Sequence, residues 1–249
     1  MVSFDIVGDI AIFQTDISKK EAEALLKEHK NLKVILKKTK KYSGVYRLPK
    51  LKVIAGEKRK ETTYKENNAI MKLDVEKCYF SPRLANERLR IAKLVKKNES
   101  VLVMFSGVGP YPIVIAKNSK PKEIYSIELN PTAYNYQKEN IILNKIKNIN
   151  LFKGDVKKII HKLNKKFDRV LMPLPKGGED FLDVALKAAK KGAVVHFYDF
   201  LNEKEFNLAK EKIDKACKKA RKSYKILNLV KCGQFGPGIY RVCADSRIA

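Results

Sequence analysis

Val101-Leu-Val-Met-Phe-Ser-Gly-Val-Gly-Pro-Tyr-Pro112 decides the fold. The apolar run from Val101 to Phe105 reads as a buried strand. Gly107 and Gly109 turn the chain sharply, because a residue without Cβ reaches backbone angles closed to others and lets a ligand approach the main chain. Pro110 and Pro112 suit a first helical turn, where the missing N–H has no helical partner to lose. Strand, glycine turn and helix is how an α/β sheet holds a nucleoside-bearing ligand at the carboxyl ends of its strands.

A Gly-x-Gly pair alone carries little weight. The third glycine of the dinucleotide fingerprint is missing, and Tyr111 and Pro112 occupy its region. The next strand, Glu123-Ile-Tyr-Ser-Ile-Glu128, adds the weight. It ends on a carboxylate roughly 20 residues beyond the glycines, where ribose hydroxyls are gripped. A third strand, Ile149 to Lys153, ends in Gly154-Asp155-Val156. Three landmarks at successive strand ends outweigh the alternative of three unrelated turns. Without a triple-glycine cradle a neutral or cationic ligand fits better than a pyrophosphate, and S-adenosylmethionine meets both requirements.

The chain has 249 residues, room for one large α/β domain and a smaller one. Lys and Arg number 53 against 27 Asp and Glu, a formal charge of +26 that predicts salt-dependent attraction to a polyanion, with nucleic acid ahead of anionic membranes. No apolar run approaches a membrane span, and acids and polar residues interrupt the first residues where a signal peptide would be apolar. A cytoplasmic location is the expectation. Cys78, Cys217, Cys232 and Cys243 are widely spaced, which argues against a disulfide framework or a zinc site. His29, His161 and His196 form no metal motif, and His196 reads as a core or strand-end residue.

Residues 1–76 read as a small α+β domain, and residues 77–249 as the ligand-binding domain. In the first, Phe4 to Phe13 reads as strands, and Ser18-Lys-Lys-Glu21 is a capping box opening an amphipathic helix. Thr62 to Asn67 reads as a turn or loop. Lys50, Lys52, Lys58, Arg59 and Lys60 are candidates for phosphate contact, although a single lysine is more often merely solvated. Ser81 and Pro82 suit the N-cap and first position of a helix to Val95, with Ser81, Arg83 and Arg88 at the ligand's rim or, equally, on a charged connecting helix. From Lys97 the βα alternation is regular, with helices expected over 110–117, 131–143, 156–163, 178–190 and 203–219. Two final strands, 224–231 and 238–245, close it, predicting a mostly parallel sheet with one antiparallel strand near an edge.

The fourth strand exits through Met172-Pro-Leu-Pro-Lys176. Two prolines around Leu174 fix a rigid extended segment, a feature that favours function over plain connection. No Ser-His-Asp or Cys-His set is present.

Phe105-Ser-Gly-Val-Gly-Pro-Tyr111, Ile127-Glu-Leu-Asn-Pro131, Gly154-Asp155 and Met172-Pro-Leu-Pro-Lys176, preceded by Tyr79-Phe-Ser-Pro-Arg-Leu-Ala-Asn-Glu-Arg88, resemble the class I S-adenosylmethionine enzymes that modify the purine just 3′ of the tRNA anticodon. The likeness is close from about residue 70 to 249 and looser before it. It implies a Rossmann-like class I methyltransferase sheet with a small N-terminal α+β domain. One branch of these enzymes methylates guanine N1. The other moves the 3-amino-3-carboxypropyl group of S-adenosylmethionine to 4-demethylwyosine in wyosine and wybutosine synthesis. The methylating branch has Asn-x-Pro where this chain has Pro173-Leu-Pro175, and an asparagine amide can hold a guanine edge whereas proline cannot. That branch also tends to carry an extra domain, and a length of 249 residues is short for one. Both departures favour transfer of the amino-acid arm. Val103 stands where an acid is common, which decides nothing between them.

The resemblance implies a site by position. Phe105, Gly107, Glu128, Asn130, Asp155 and Val156 would contact the nucleoside, Glu128 at the ribose and Asp155 at the adenine amine. Ser81, Arg83 or Arg88 would take the arm's carboxylate by charge-assisted hydrogen bonds. Arg83, Pro173 and Pro175 would lie at the reacting centre, and Phe80, Tyr111 and Phe235 are candidates for stacking on the looped-out base. The implied partner is tRNA, through its anticodon loop, with no membrane or metal ion and a monomeric chain. Two further readings stay open: an RNA-binding protein with a vestigial nucleoside site, and a small-molecule enzyme that leaves the basic charge unused.

Overall fold

The computed structural model describes residues 4–249, so residues 1–3 of the expected N-terminal domain lie outside the described residues. The first unit is a four-stranded sheet in the order β1 (Phe4–Val7), β2 (Ile10–Phe13), β3 (Val34–Ser43), β4 (Leu48–Gly56). Helix α1 (Lys19–Glu28) links the parallel strands β2 and β3. Its capping box is present: the Ser18 hydroxyl accepts from the Glu21 N–H, and the Glu21 carboxylate accepts from the Ser18 N–H at 2.8 Å. Pro49 falls at the second position of β4, near the strand start, where a missing donor is tolerated. One face of this sheet packs under α1 through Ala11, Phe13, Ala22, Ile35 and Ala55. The other sends Val7, Ile10, Val34, Leu36 and Leu51 into the main core.

Next comes a hairpin of β5 (Glu61–Glu66) and β6 (Ala69–Asp74), whose first strand covers the expected turn or loop at Thr62 to Asn67. Asn67 and Asn68 both adopt positive φ, 44° and 62°, the geometry of a two-residue hairpin turn. Thr62 and Tyr64, two apart and so on one face, supply the strand character.

The second sheet has seven strands, in the order β12-β13-β11-β10-β7-β8-β9. They are β7 (Ser100–Val103), β8 (Glu123–Glu128), β9 (Ile149–Lys153), β10 (Phe167–Met172), β11 (Ala189–Asn202), β12 (Tyr224–Gly236) and β13 (Ile239–Ile248). β13 alone runs against its neighbours, inserted between β11 and the edge strand β12. The expected mostly parallel sheet with one antiparallel strand near an edge is therefore observed. Strand alternation divides the core in two. Val101 and Val103 face α2 (Ala85–Leu94), α3 (Pro110–Asn118) and α4 (Pro131–Leu143), with the hairpin beyond. Leu102 and Met104 face α5 (Val156–Leu163), α6 (Leu182–Ala188) and α7 (Asn207–Lys219).

Three boundaries moved. The helix expected from Pro82 begins as a 3-10 turn, Pro82–Leu84, and the Ser81 hydroxyl makes no capping bond. The helix expected over 178–190 ends at Ala188, and β11 starts at Ala189 with a bulge against β10. The last hairpin turns tightly at Pro237-Gly238, with Gly236 paired to Ile239. Among the described residues no helix is long and apolar enough to cross a membrane.

Candidate active site

The carboxyl ends of β7, β8 and β9 form a cradle. Beyond β7 the chain turns through Phe105 (φ 57°), Gly107 (φ 58°) and Gly109 (φ 94°), all left-handed. At Gly109 a Cβ would meet Gln137 Cγ at 2.8 Å and Ile113 Cδ1 at 2.9 Å, so glycine is required for both angle and space. Gln137 is fully buried and holds the turn by accepting from the Ser106 hydroxyl at 2.7 Å while donating to Ser126. The partly buried Phe105 ring packs edge-on against Phe181, centroids 4.9 Å apart.

Glu128, at the end of β8, is the hub. One carboxylate oxygen accepts from the Gly107 N–H at 2.6 Å and the other from the Asn130 N–H at 2.7 Å. Burial pushes its pKa up, and these backbone donors partly offset the shift. Each oxygen keeps a further lone pair, so the group suits two ribose hydroxyls. Asp155 caps α5, accepting from the Lys158 N–H at 3.1 Å with one oxygen, and Val156 is buried at the first helical position. Glycine turn, ribose-suited carboxylate and second acid at adjoining strand ends fit a nucleoside.

Asn130 has a different part from the one the resemblance implied. Its side-chain oxygen caps α4 through the N–H groups of Thr132 and Ala133, and its amide donates to the Lys77 carbonyl at 2.8 Å. Its side chain therefore ties the Lys77–Ser81 segment to the cradle.

The residues expected to take the arm's carboxylate have protein partners in this structure. Arg88 does not lie at a rim: it is 1% exposed, grips the Glu66 carboxylate of β5 with two nitrogens, and donates to the Ser81 carbonyl at 3.2 Å. Its partner comes from the strand misread as loop. Arg83 is exposed and paired with Asp5 of β1 at 2.7 Å, which joins the two units. Ser81 follows the Lys77–Phe80 segment over the cradle, where the Tyr79 carbonyl would lie 3.7 Å from a Cβ on Gly107. Phe80 and Tyr111 are core residues, and Phe235 is exposed and packs on Phe200 at 4.1 Å. Among the basic candidates, Arg59 is bound to Asp9 and Glu57 and Lys60 to Glu76, while Lys50, Lys52 and Lys58 are exposed.

At the end of β10, Pro173 is partly buried and Pro175 buried. The Leu174 N–H between them closes onto the Met172 carbonyl at 2.7 Å. Several residues that sequence reasoning missed gather beside this loop. Arg47 donates to the Lys176 carbonyl, Tyr42 packs edge-on against Tyr79 at 5.3 Å, and Arg241 donates to the Tyr79 hydroxyl at 2.9 Å. The one available signal was Arg241 itself, a charge in the buried phase of the strand Ile239–Ile248.

The opposite end of the sheet carries a cavity of about 490 Å³ lined by Asp168, Arg169, His196, Asp245 and Arg247. His196 is fully buried, as expected of a core histidine, between Asp245 and Arg169. Its ring, Cys243 and Asp245 lie close enough to suggest metal ligation. However, the Arg90 and Arg169 guanidiniums already occupy the outer partners, which disfavours a cation.

Comparison with known proteins agrees with this geometry. The family model described as "TRM5/TYW2 methyltransferase domain" matches residues 62–227, and "TYW2 N-terminal domain" matches residues 1–59. The chain is 41% identical to the tRNA (guanine(37)-N(1))/4-demethylwyosine(37)-methyltransferase Taw22 of Nanoarchaeum equitans, over 86% of this chain and 89% of that one. It is 37% identical to the tRNA (guanine(37)-N(1))-methyltransferase Trm5b of Pyrococcus abyssi, over 99% and 75%, and the crystal structure of that Trm5b superposes with a TM-score of 0.90. It is 34% identical to the tRNA(Phe) (4-demethylwyosine(37)-C(7)) aminocarboxypropyltransferase of Methanocaldococcus jannaschii, over 99% and 98%. A structure of M. jannaschii TYW2 in complex with AdoMet superposes with a TM-score of 0.75, covering 99% of both chains. With a domain match over more than half its length and the fold those relatives share, the chain belongs to the TRM5/TYW2 methyltransferase family.

Proposed function

We propose that this chain transfers the 3-amino-3-carboxypropyl group of S-adenosylmethionine to C7 of 4-demethylwyosine at position 37 of tRNA(Phe). The observation that carries the reading is the end of β10. Leu174 has the only main-chain N–H between the two prolines, and it is closed onto Met172, so the Pro173–Pro175 segment offers neither a side-chain amide nor a free N–H to a guanine edge. The match of residues 1–59 to the TYW2 N-terminal domain, and the near-complete coverage of the M. jannaschii aminocarboxypropyltransferase, support the same choice.

S-adenosylmethionine supplies a sulfonium that activates its adjoining carbons, and the carbon in line with the nucleophile reacts. In this reading the Glu128 carboxylate accepts ribose hydroxyls, Asp155 accepts the adenine amine, and Val156 and Phe105 exclude water from the nucleoside. The bond from sulfur to the arm breaks as C7 forms a carbon–carbon bond, methylthioadenosine departs, and C7 loses its proton. The target carbon is enamine-like and itself nucleophilic, so positioning supplies much of the rate. The net charge of +26 draws in the RNA, with the exposed Lys50, Lys52 and Lys58 of the small domain as phosphate contacts.

A second reading, methyl transfer to guanine N1 at position 37, is favoured by the higher identities to Taw22 and Trm5b. Precursor tRNA incubated with S-adenosylmethionine labelled in the arm or in the methyl group decides between them. Arm label and the mass of the whole arm in tRNA support the proposal; methyl label alone overturns it.

A further inference from the structure

We propose that the cavity at the amino-terminal end of the large sheet binds a phosphate group, at a site separate from the nucleoside cradle. The cavity, about 490 Å³, is walled by the turn after α2, the starts of β10 and β11, and β12 and β13 where they pass that end. The three acids on its wall are already neutralised. Arg169 holds Glu99 at 2.8 Å, Lys190 holds Asp168 at 2.8 Å, and Arg90 holds Asp245 at 2.6 Å. Four cations on the same wall, Lys96, Lys97, Lys191 and Arg247, have no carboxylate within ion-pair distance among the described residues. The cavity is thus left with positive charge, brought together from stretches of the chain up to about 150 residues apart.

Two further observations point to an anion. Arg247 stands directly opposite Lys225 in the β12–β13 ladder, and like charges so placed destabilise a sheet unless an opposite charge lies near. Arg169, 3% exposed, has four of its five N–H groups engaged: two by Glu99, one by His196 and one by the Leu94 carbonyl. One Nη1 hydrogen therefore has no acceptor among the described residues, a costly state for a buried donor. An oxyanion in the cavity relieves both. Bulges in β11 against β10, and in β12 beside Leu227, shape the rim at Lys191 and Asn228. Lysine ammonium groups and the Arg247 fork together suit the several oxygens and double charge of a phosphate better than a carboxylate's single charge. The length of β10, roughly 17 Å, separates this cavity from the cradle.

The test is titration of the whole chain with inorganic phosphate at constant ionic strength, read by phosphorus NMR. It compares wild type, Arg247→Gln, Lys191→Gln and a control of equal charge, Lys138→Gln, on the exposed side of α4. Wild type is expected to bind saturably. Arg247→Gln is expected to weaken binding about 10-fold, Lys191→Gln about threefold, and Lys138→Gln by less than about twofold. Lys191→Gln carries the test if Arg247→Gln does not fold. Absence of saturable binding, or an equal loss in the control, overturns the site, because the net charge of +26 would then be the whole attraction. Displacement of phosphate by S-adenosylmethionine also overturns it, by placing the anion in the cradle. Displacement by tRNA supports the site and gives it to an RNA backbone phosphate; phosphate that stays bound beside tRNA supports it and gives it to a small phosphate ester.

Discussion

The backbone N–H of Gly107 donates to the Glu128 carboxylate at 2.6 Å, so the glycine turn after one strand is held by the acid ending the next. Glu128→Ala removes both this tether and the proposed ribose acceptor. S-adenosylmethionine and methylthioadenosine share the ribose, so both are expected to weaken by about 10- to 100-fold in calorimetry. Affinities within twofold of wild type would refute the ribose role.

Asn130→Ala should act on stability before chemistry. It deletes the α4 cap and the bond to the Lys77 carbonyl, for an expected loss of about 1–3 kcal/mol. A urea melt reads this as a lower midpoint at unchanged slope. A midpoint equal to wild type would mean the cap and tether carry nothing.

The two arginines first expected at the ligand should part company. Arg88→Ala strands the buried Glu66 and is expected to cost about 3–5 kcal/mol. Arg83→Ala breaks a pair whose arginine is 56% exposed, worth about 0–1 kcal/mol. Chemical denaturation of both variants checks the order; a larger loss at Arg83 would contradict the burial argument.

Acid should loosen the fold at the far end of the sheet. Burial lowers the His196 pKa, against the opposing pull of Asp245. Burial would raise Asp245, but hydrogen bonds from His196 and Arg90 outweigh it and hold its carboxyl far below the usual range. Both shifts are downward, so both contributions are present at neutral pH. The histidine part is lost as pH falls below its unfolded value of about 6.5, and the aspartate part only below about 3.9. The urea midpoint should therefore drop between pH 7.5 and 5, with a flatter profile in His196→Gln. A profile as steep in the variant as in wild type would assign the slope elsewhere.

Much of the catalytic domain was legible because its signals are local. Pro131 after a capping Asn130, and Asp155 before Val156, mark helix starts that the structure reproduces at 131 and 156. The cradle was legible for the same reason, each landmark lying where an apolar strand ends. The clamp was not. Arg88 was misplaced because its partner Glu66 sits on a strand whose charged residues mask its alternation, and an ion pair 22 residues apart leaves no pattern. Arg241 was missed because Tyr79 is 162 residues away, and only the sheet order brings them together. Asn130 was read as a ligand contact because a motif shows which residue stands at a turn, not how its hydrogen bonds are already spent.

The placement of β13 has a consequence for any shortened form of the chain. Its nine residue pairs with β11, from Val194–Arg247 to Asn202–Ile239, cover the outer side of the longest strand in the sheet. Trimming back to α7 would remove both strands of the final hairpin and bare that row of amide and carbonyl groups beside Val195 and Phe197, a template for stray pairing between molecules. Deletion at this end should thus yield an aggregating fragment rather than a smaller folded enzyme.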